Sequence, residues 1–255
     1  YFAHAYKGQD GADELLARFV RGGGELLDVE YLTLNQRRVV AFGYWAGYVG
    51  ASLALLQARG ALRAPLAPMG RSQLDRAVRE SSSGPGSALV IGARGRSGRG
   101  AVDALAGAGW DVTKWGLVDT ADLDKDALLG HELLVNCVVT HRPQEPFVTS
   151  ADIGAQGRHL RVIGDVTCDV TSANNVLPIN TSVTTWDTPA RQVGSPSDPL
   201  DVIAIDNLPS LLPLEASVSF SADFTPLLVD LAGRTGPFAA AQDTFCRATA
   251  ALPQD

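Results

Sequence analysis

Short apolar runs alternate with helix-length stretches through the middle of the chain. Residues 88–91, 112–118, 131–139, 160–167 and 202–206 read as five buried strands. Nearly continuous apolar runs separated by helical connections predict a parallel, doubly wound sheet with helices on both faces. Ahead of them, "RRVVAFG" reads as a strand and "YWAGYVGASLALLQARG" as a buried helix packed through its small residues. Residues 39–56 carry no charge, but Gly43, Gly47 and Gly50 interrupt them. A membrane span needs about 20 apolar residues, so a buried helix is the reading there. Helical pattern returns near the end in "SADFTPLLVDLAG" and "PFAAAQDTFCRATAAL". The Ser/Gly/Pro-rich residues 79–87 read as a linker, and residues 190–200 as an exposed loop.

The first of the five strands runs into "GARGRSGRG", with Gly92, Gly95, Gly98 and Gly100 close together, and then into an Ala/Leu-rich helical stretch. Strand, glycine turn and helix aim free backbone N–H groups and a helix dipole at an anion. Glycine also lets a phosphate approach the backbone closely. The spacing is G-x-x-G-x-x-G, which differs from the G-x-G-x-x-G of dinucleotide folds, and no Gly-Lys-Ser/Thr follows. A purely structural turn is the competing reading. In a dinucleotide fold, the next strand ends in an acid that binds the adenosine ribose. Here that acid is ambiguous: Gly116 follows Lys114-Trp115, and Asp119 and Thr120 come slightly later. Asn136, Asp165 and Asp206 end other predicted strands, where open α/β sheets bind ligands, although each could equally form a turn or cap.

The 255 residues suffice for one large domain or two modest ones, and the 45% hydrophobic content can fill a core. The net charge of −7 argues against a nucleic-acid surface. The 3 cysteines, Cys137, Cys168 and Cys246, are far apart and, with 4 scattered histidines, offer no metal spacing. They suggest a reducing compartment. The start of the chain lacks the pattern of a signal peptide. It begins with Tyr rather than Met, and so reads as a fragment or processed product.

"FAHAYK", "GARGRSGRG", "GDVTCDVTSANNVLPI" and "IAIDNLPSLLPLEAS" carry a resemblance, in order and over nearly the whole chain, to saccharopine dehydrogenase, the NAD-dependent, lysine-forming enzyme. The resemblance implies two Rossmann-like α/β domains of the alanine dehydrogenase type with the active site in the cleft between them. Residues 1–42 and 209–255 would form part of the substrate domain, and residues 43–208 the dinucleotide-binding domain. The implied reaction is oxidative cleavage of saccharopine to L-lysine and 2-oxoglutarate, by a cytoplasmic monomer with no nucleic-acid or membrane partner and no metal. His4 matches the catalytic histidine. The family's catalytic lysine falls upstream of Tyr1, so this stretch alone is expected to be inactive. Lys7, Arg38, Phe42 and Val166 match substrate positions, and Glu30 would orient the basic groups, a plain salt bridge being the alternative. Arg37, Gly95, Arg96, Thr120, Val139, Ile205, Asp206, Asn207 and Leu208 match cofactor positions.

The chain departs from the family at several places. Gly116 stands where relatives carry an aspartate, Val139 replaces an aromatic residue, and Asn207 replaces a histidine. NAD is the implied cofactor. NADP is the alternative, because the ribose acid is missing and Arg94, Arg96 and Arg99 are near. Two other readings compete: a non-catalytic nucleotide-binding sensor or subunit of the same fold, and an NADP-dependent amino-acid dehydrogenase.

Overall fold

The computed structural model describes residues 2–81, 84–140 and 142–252. Ser82 and Ser83 of the expected linker lie outside them, as does Tyr1. In chain order the elements are α1 (Ala12–Arg21), β1 (Thr33–Leu34), β2 (Arg37–Arg38), α2 (Gly43–Ala58), α3 (Arg71–Glu80), β3 (Ser87–Ile91), α4 (Arg96–Gly107), β4 (Asp111–Trp115), α5 (Leu117–Ala121), α6 (Lys125–Leu129), β5 (Leu133–Asn136), α7 (Ser150–Ile153), β6 (Val162–Asp165), β7 (Arg191–Gln192), β8 (Asp201–Ile203), α8 (Pro213–Phe224) and α9 (Pro237–Ala250). Backbone packing divides the chain into two compact units, Phe42–Ala216 and Tyr1–Ala41 with Ser217–Asp255.

The larger unit is built on a six-stranded sheet of order β4-β3-β5-β6-β8-β7. All neighbours are parallel except β7, which pairs antiparallel with β8 at the edge. Successive strand residues point to opposite faces, and the core follows that alternation. Ala88 and Val90 join a cluster with Val49, Leu53 and Leu105. Leu89 and Ile91 join another with Leu128 and Phe147. Burial on both sides explains why the strands read as unbroken apolar runs.

Helix α2 is buried from Gly47 to Leu56 and packs on α4 through glycines. A Cβ on Gly47 would lie 1.8 Å from the Ser97 carbonyl oxygen, and one on Gly100 would lie 1.9 Å from the Tyr44 carbonyl oxygen. No side chain fits at either position, so the two backbones are in direct contact. Among the described residues, no helix is long and apolar enough to cross a membrane.

Several elements are shorter than the apolar pattern predicts. The strand expected over 112–118 ends at Trp115, and Leu117 and Val118 lie in α5, 84% and 82% exposed. The strands expected over 131–139 and 160–167 contract to β5 and β6, whose shared parallel register ends at Asn136 and Asp165, and the strand expected over 202–206 is β8, which starts one residue earlier and ends at Ile203. In "RRVVAFG" Arg37 and Arg38 pair with Leu34 and Thr33, the Val39 N–H donates to the Leu32 carbonyl oxygen, and the chain then turns into α2. The helix after the glycine turn begins at Arg96, earlier than its apolar positions indicate. The expected loop 190–200 contains the edge strand β7.

The smaller unit is mainly helical. The buried faces of α1 and α9 meet through Ala12, Leu16 and Phe245. Phe238 and Ala241 of α9 pack with Val29, Leu32 and Val40. Its sheet, among the described residues, is the two-residue antiparallel pair β1–β2, so it carries no second parallel sheet.

Candidate active site

In the smaller unit the polar residues gather on Glu30. Asp28, wholly buried, organises them. Its Oδ2 accepts the backbone N–H of Ala3 at 3.1 Å and of His4 at 3.2 Å, and its Oδ1 accepts that of Glu30 at 2.8 Å. The last contact caps the 3₁₀ turn Val29–Tyr31. One carboxylate thus ties the "FAHAYK" segment to the "DVEYL" segment. His4 is held at φ 50, an uncommon conformation for a residue with a side chain. Its imidazole is 65% exposed, with Nδ1 3.9 Å from Glu30 Oε2.

Glu30 Oε1 accepts from Lys7 Nζ and from an Arg38 Nη, both at 2.5 Å. Arg38 Nε also donates to the Glu30 carbonyl oxygen. Burial pushes the Glu30 carboxyl upward, but the Lys7 hydrogen bond and the Arg38 charge outweigh it, and the group titrates below its ordinary value. Glu30 Oε2 is buried without a hydrogen-bond partner. The arrangement presents one imidazole and two cationic side chains around one carboxylate, with Arg37 exposed beside them on β2. Such a site can hold a polycarboxylate and exchange a proton at His4.

In the larger unit, the register aligns Trp115, Ile91, Asn136 and Asp165 at the carboxyl ends of four neighbouring strands. The glycine turn follows Ile91. Gly92 sits at φ 82, and a Cβ there would lie 2.8 Å from Val138 Cγ2. On Gly98 it would lie 2.1 Å from the Gly92 carbonyl oxygen. Gly95, at φ −72, caps α4, and a Cβ there would meet the Gly92 carbonyl oxygen at 3.2 Å and no other described atom within 4 Å. Gly92 and Gly98 therefore make the turn itself, while the surface over Gly95 is open. Arg96 opens α4, half-buried. Beside the turn lies a cavity of about 440 Å³, lined by Gly92, Gly116, Thr120, Val138, Val139 and Arg142 among others.

Thr120 and Val139 thus share the wall of one cavity. Val166 and Leu208 come together elsewhere: a Cβ on Gly50 would meet Val166 Cγ2 at 2.8 Å and Leu208 Cδ1 at 3.2 Å. Ile205 and Leu208 are buried, so a ligand could reach them chiefly through the backbone, whereas Asp206 is exposed. Asn207, at φ 62, caps the 3₁₀ turn Leu208–Leu211. Phe42 caps the start of α2 and is half-buried. Asn136 and Asp165 are committed to each other. Asn136 Nδ2 donates to Asp165 Oδ1 at 3.0 Å, Thr167 Oγ1 donates to the same oxygen at 2.8 Å, and Asn180 Nδ2 donates to Asp165 Oδ2 at 2.8 Å. Burial, with the Asp165 charge adding to it, pushes the Cys137 and Cys168 thiols up to about 12.

Comparison with known proteins places these features. Saccharopine dehydrogenase [NAD(+), L-lysine-forming] of Emericella nidulans is 37% identical, over 99% of this chain and 75% of its own length. The enzyme of the same name from Neurospora crassa is 39% identical, over 99% of this chain and 74% of its own. This chain belongs to the saccharopine dehydrogenase family. No family model matches it. A transhydrogenase from Sinorhizobium meliloti has a structure with TM-score 0.49 and 13% identity, over 86% of this chain and 64% of that one.

Sequence reasoning missed Asp28. Its one signal is the acidic pair Asp28 and Glu30 in "DVEYL", and nothing local shows that Asp28 binds a segment 24 residues earlier.

Proposed function

We propose that this protein is an NAD-dependent oxidoreductase of lysine metabolism that cleaves saccharopine to L-lysine and 2-oxoglutarate, reversibly. The observation that carries the reading is the Lys7–Glu30–Arg38 cluster beside His4, in a chain whose relatives bear that enzyme's name. Saccharopine has three carboxylates and a secondary amine, which suits a site built from cations around a proton-exchanging imidazole.

The residues of the larger unit fit a dinucleotide. Gly95 leaves the backbone amides at the start of the twelve-residue helix α4 open to a pyrophosphate, and the adjoining cavity suits a nucleoside. Bound there, NAD would supply a hydride acceptor for the carbon of the substrate C–N bond. Arg38 and Lys7 hold substrate carboxylates. Glu30 keeps both cations gathered and stands 3.9 Å from His4. His4 passes a proton at its imidazole as water adds to the substrate carbon and the lysine amine departs. Phe42 and Val166 complete the substrate contacts. Arg37, Arg96, Thr120, Val139, Asp206 and Asn207, with the backbone of Ile205 and Leu208, serve the dinucleotide. In this reading residues 1–42 and 209–255 belong to the substrate domain and residues 43–208 to a doubly wound dinucleotide domain. The protein works as a monomer in the cytoplasm.

The test is steady-state absorbance at the NADH band, with saccharopine and NAD and in reverse with lysine, 2-oxoglutarate and NADH, on this chain joined behind the upstream family segment that carries the catalytic lysine. His4→Gln should lower kcat by about 10²–10⁴-fold and leave the NADH dissociation constant unchanged. Arg38→Ala should mainly raise the saccharopine KM. Full kcat in His4→Gln, or NADH binding with no turnover of either substrate set, would reject the assignment.

A further inference from the structure

We infer that Asp119 is the residue that selects NAD over NADP, in place of the acid that position 116 lacks. The inference rests on the dinucleotide reading above and deepens it. In dinucleotide folds the carboxylate at the end of the strand beside the glycine strand hydrogen-bonds the ribose 2′-hydroxyl and repels a 2′-phosphate. Here that strand is β4, paired with β3 along its whole length, and the residue after it is Gly116. A carboxylate nevertheless stands beside Gly116, supplied from three residues later. Asp119 turns back along α5, and its Oδ2 accepts the Gly116 backbone N–H at 2.7 Å. A side chain built on Gly116 would start 3.9 Å from Asp119 Oδ2 and 3.9 Å from Arg94 Nε. The place an acid at 116 would occupy is therefore flanked by an acid from the next turn and a base from the glycine turn. Gly116 and Thr120 line the 440 Å³ cavity next to Gly92, and Asp119 lies between them in sequence, exposed.

The two flanking charges give opposite preferences. A 2′-hydroxyl can donate to the Asp119 carboxylate, whose second oxygen is not the one on the Gly116 amide. A 2′-phosphate meets the Asp119 charge, with Arg94 as its compensating partner. The carboxylate decides between them because the Gly116 amide holds it at the site.

Fluorescence titration of the protein with NADH and with NADPH tests this. The unaltered protein should bind NADH at least about tenfold tighter than NADPH. Asp119→Asn keeps an acceptor for the Gly116 amide but removes the charge, and should bring the two affinities to within about threefold. Adding Arg94→Ala to that variant should weaken NADPH selectively. Gly116→Asp in the Asp119→Asn background should restore the NADH preference. Gly116 tolerates a side chain, since its φ of −121 is ordinary and its Cβ would meet nothing nearer than 3.9 Å. An unchanged NADH/NADPH ratio in Asp119→Asn, with NADH still bound, would overturn the role of Asp119 and leave the dinucleotide reading standing. Failure of the unaltered protein to bind either dinucleotide would remove that reading itself.

Discussion

The buried carboxylate of Asp28 accepts the backbone amide of His4 at 3.2 Å, across 24 residues of chain. His4 is thereby positioned through its main chain, and its imidazole stays exposed. Asp28→Ala would leave the amides of Ala3, His4 and Glu30 without this acceptor. A buried group left unsatisfied costs about 1–3 kcal/mol, so urea unfolding should show a loss of about 2–4 kcal/mol. Asp28→Asn, which retains one carbonyl acceptor, should lose less. An unchanged midpoint in Asp28→Ala would show that water or a shifted backbone replaces the carboxylate.

The glycines of the turn should separate by role. Gly95→Val places its bulk over the open surface at the start of α4 and should weaken NADH binding by about tenfold or more with little change in thermal midpoint. Gly98→Ala drives a methyl to 2.1 Å from the Gly92 carbonyl oxygen and should destabilise the fold by about 1–3 kcal/mol or more. Equal NADH affinity in a folded Gly95→Val protein would make the turn purely structural.

The turn was legible because four glycines crowded between an apolar run and a helical stretch are hard to place anywhere but in a tight backbone turn. Strand order within the sheet and strand ends were less so. Leu117, which lines the cavity, and Val118 extend an apolar run but are almost wholly exposed, and hydrophobicity alone cannot distinguish such residues from core. The polar strand ends misled in the other direction. Asn136 and Asp165 sit where ligands bind in such sheets, yet they satisfy each other and Asn180, a pairing that requires knowing β5 and β6 are neighbours. The Glu30 cluster joins residues 23 and 8 positions away, so spacing could not reveal it, and only the family resemblance pointed there.

The cysteines should differ sharply in reactivity. Burial holds the Cys137 and Cys168 thiols up to about 12, whereas Cys246 is exposed. Since the thiolate is the reactive form, a thiol reagent such as DTNB at pH 8 should label one cysteine rapidly in the folded protein and all three in denaturant. Mass spectrometry should place the rapid label on Cys246. Rapid labelling of Cys168 would mean that the turn after β6 opens readily.

Stability in acid should depend on Glu30. Burial opposes ionisation of its carboxyl, but Lys7 and Arg38 prevail and its folded value lies below 4.5. The contribution of a group depressed by folding is complete above its unfolded value and fades as pH falls through the folded one. Stability from this cluster should therefore be fully present at about pH 6–7 and decline progressively below about 4.5. Lys7 and Arg38 are 54% and 40% exposed at their side chains, so water screens both pairs and the contribution is about 1 kcal/mol. Urea unfolding of the unaltered protein and of Glu30→Gln, from pH 7 down to about pH 3.5, measures it. The two curves should differ at neutral pH and converge in acid, because the substituted amide has no proton to gain. A constant difference across that range would show that Glu30 contributes through packing and hydrogen bonding rather than charge, and that Lys7 and Arg38 are held in place by something else.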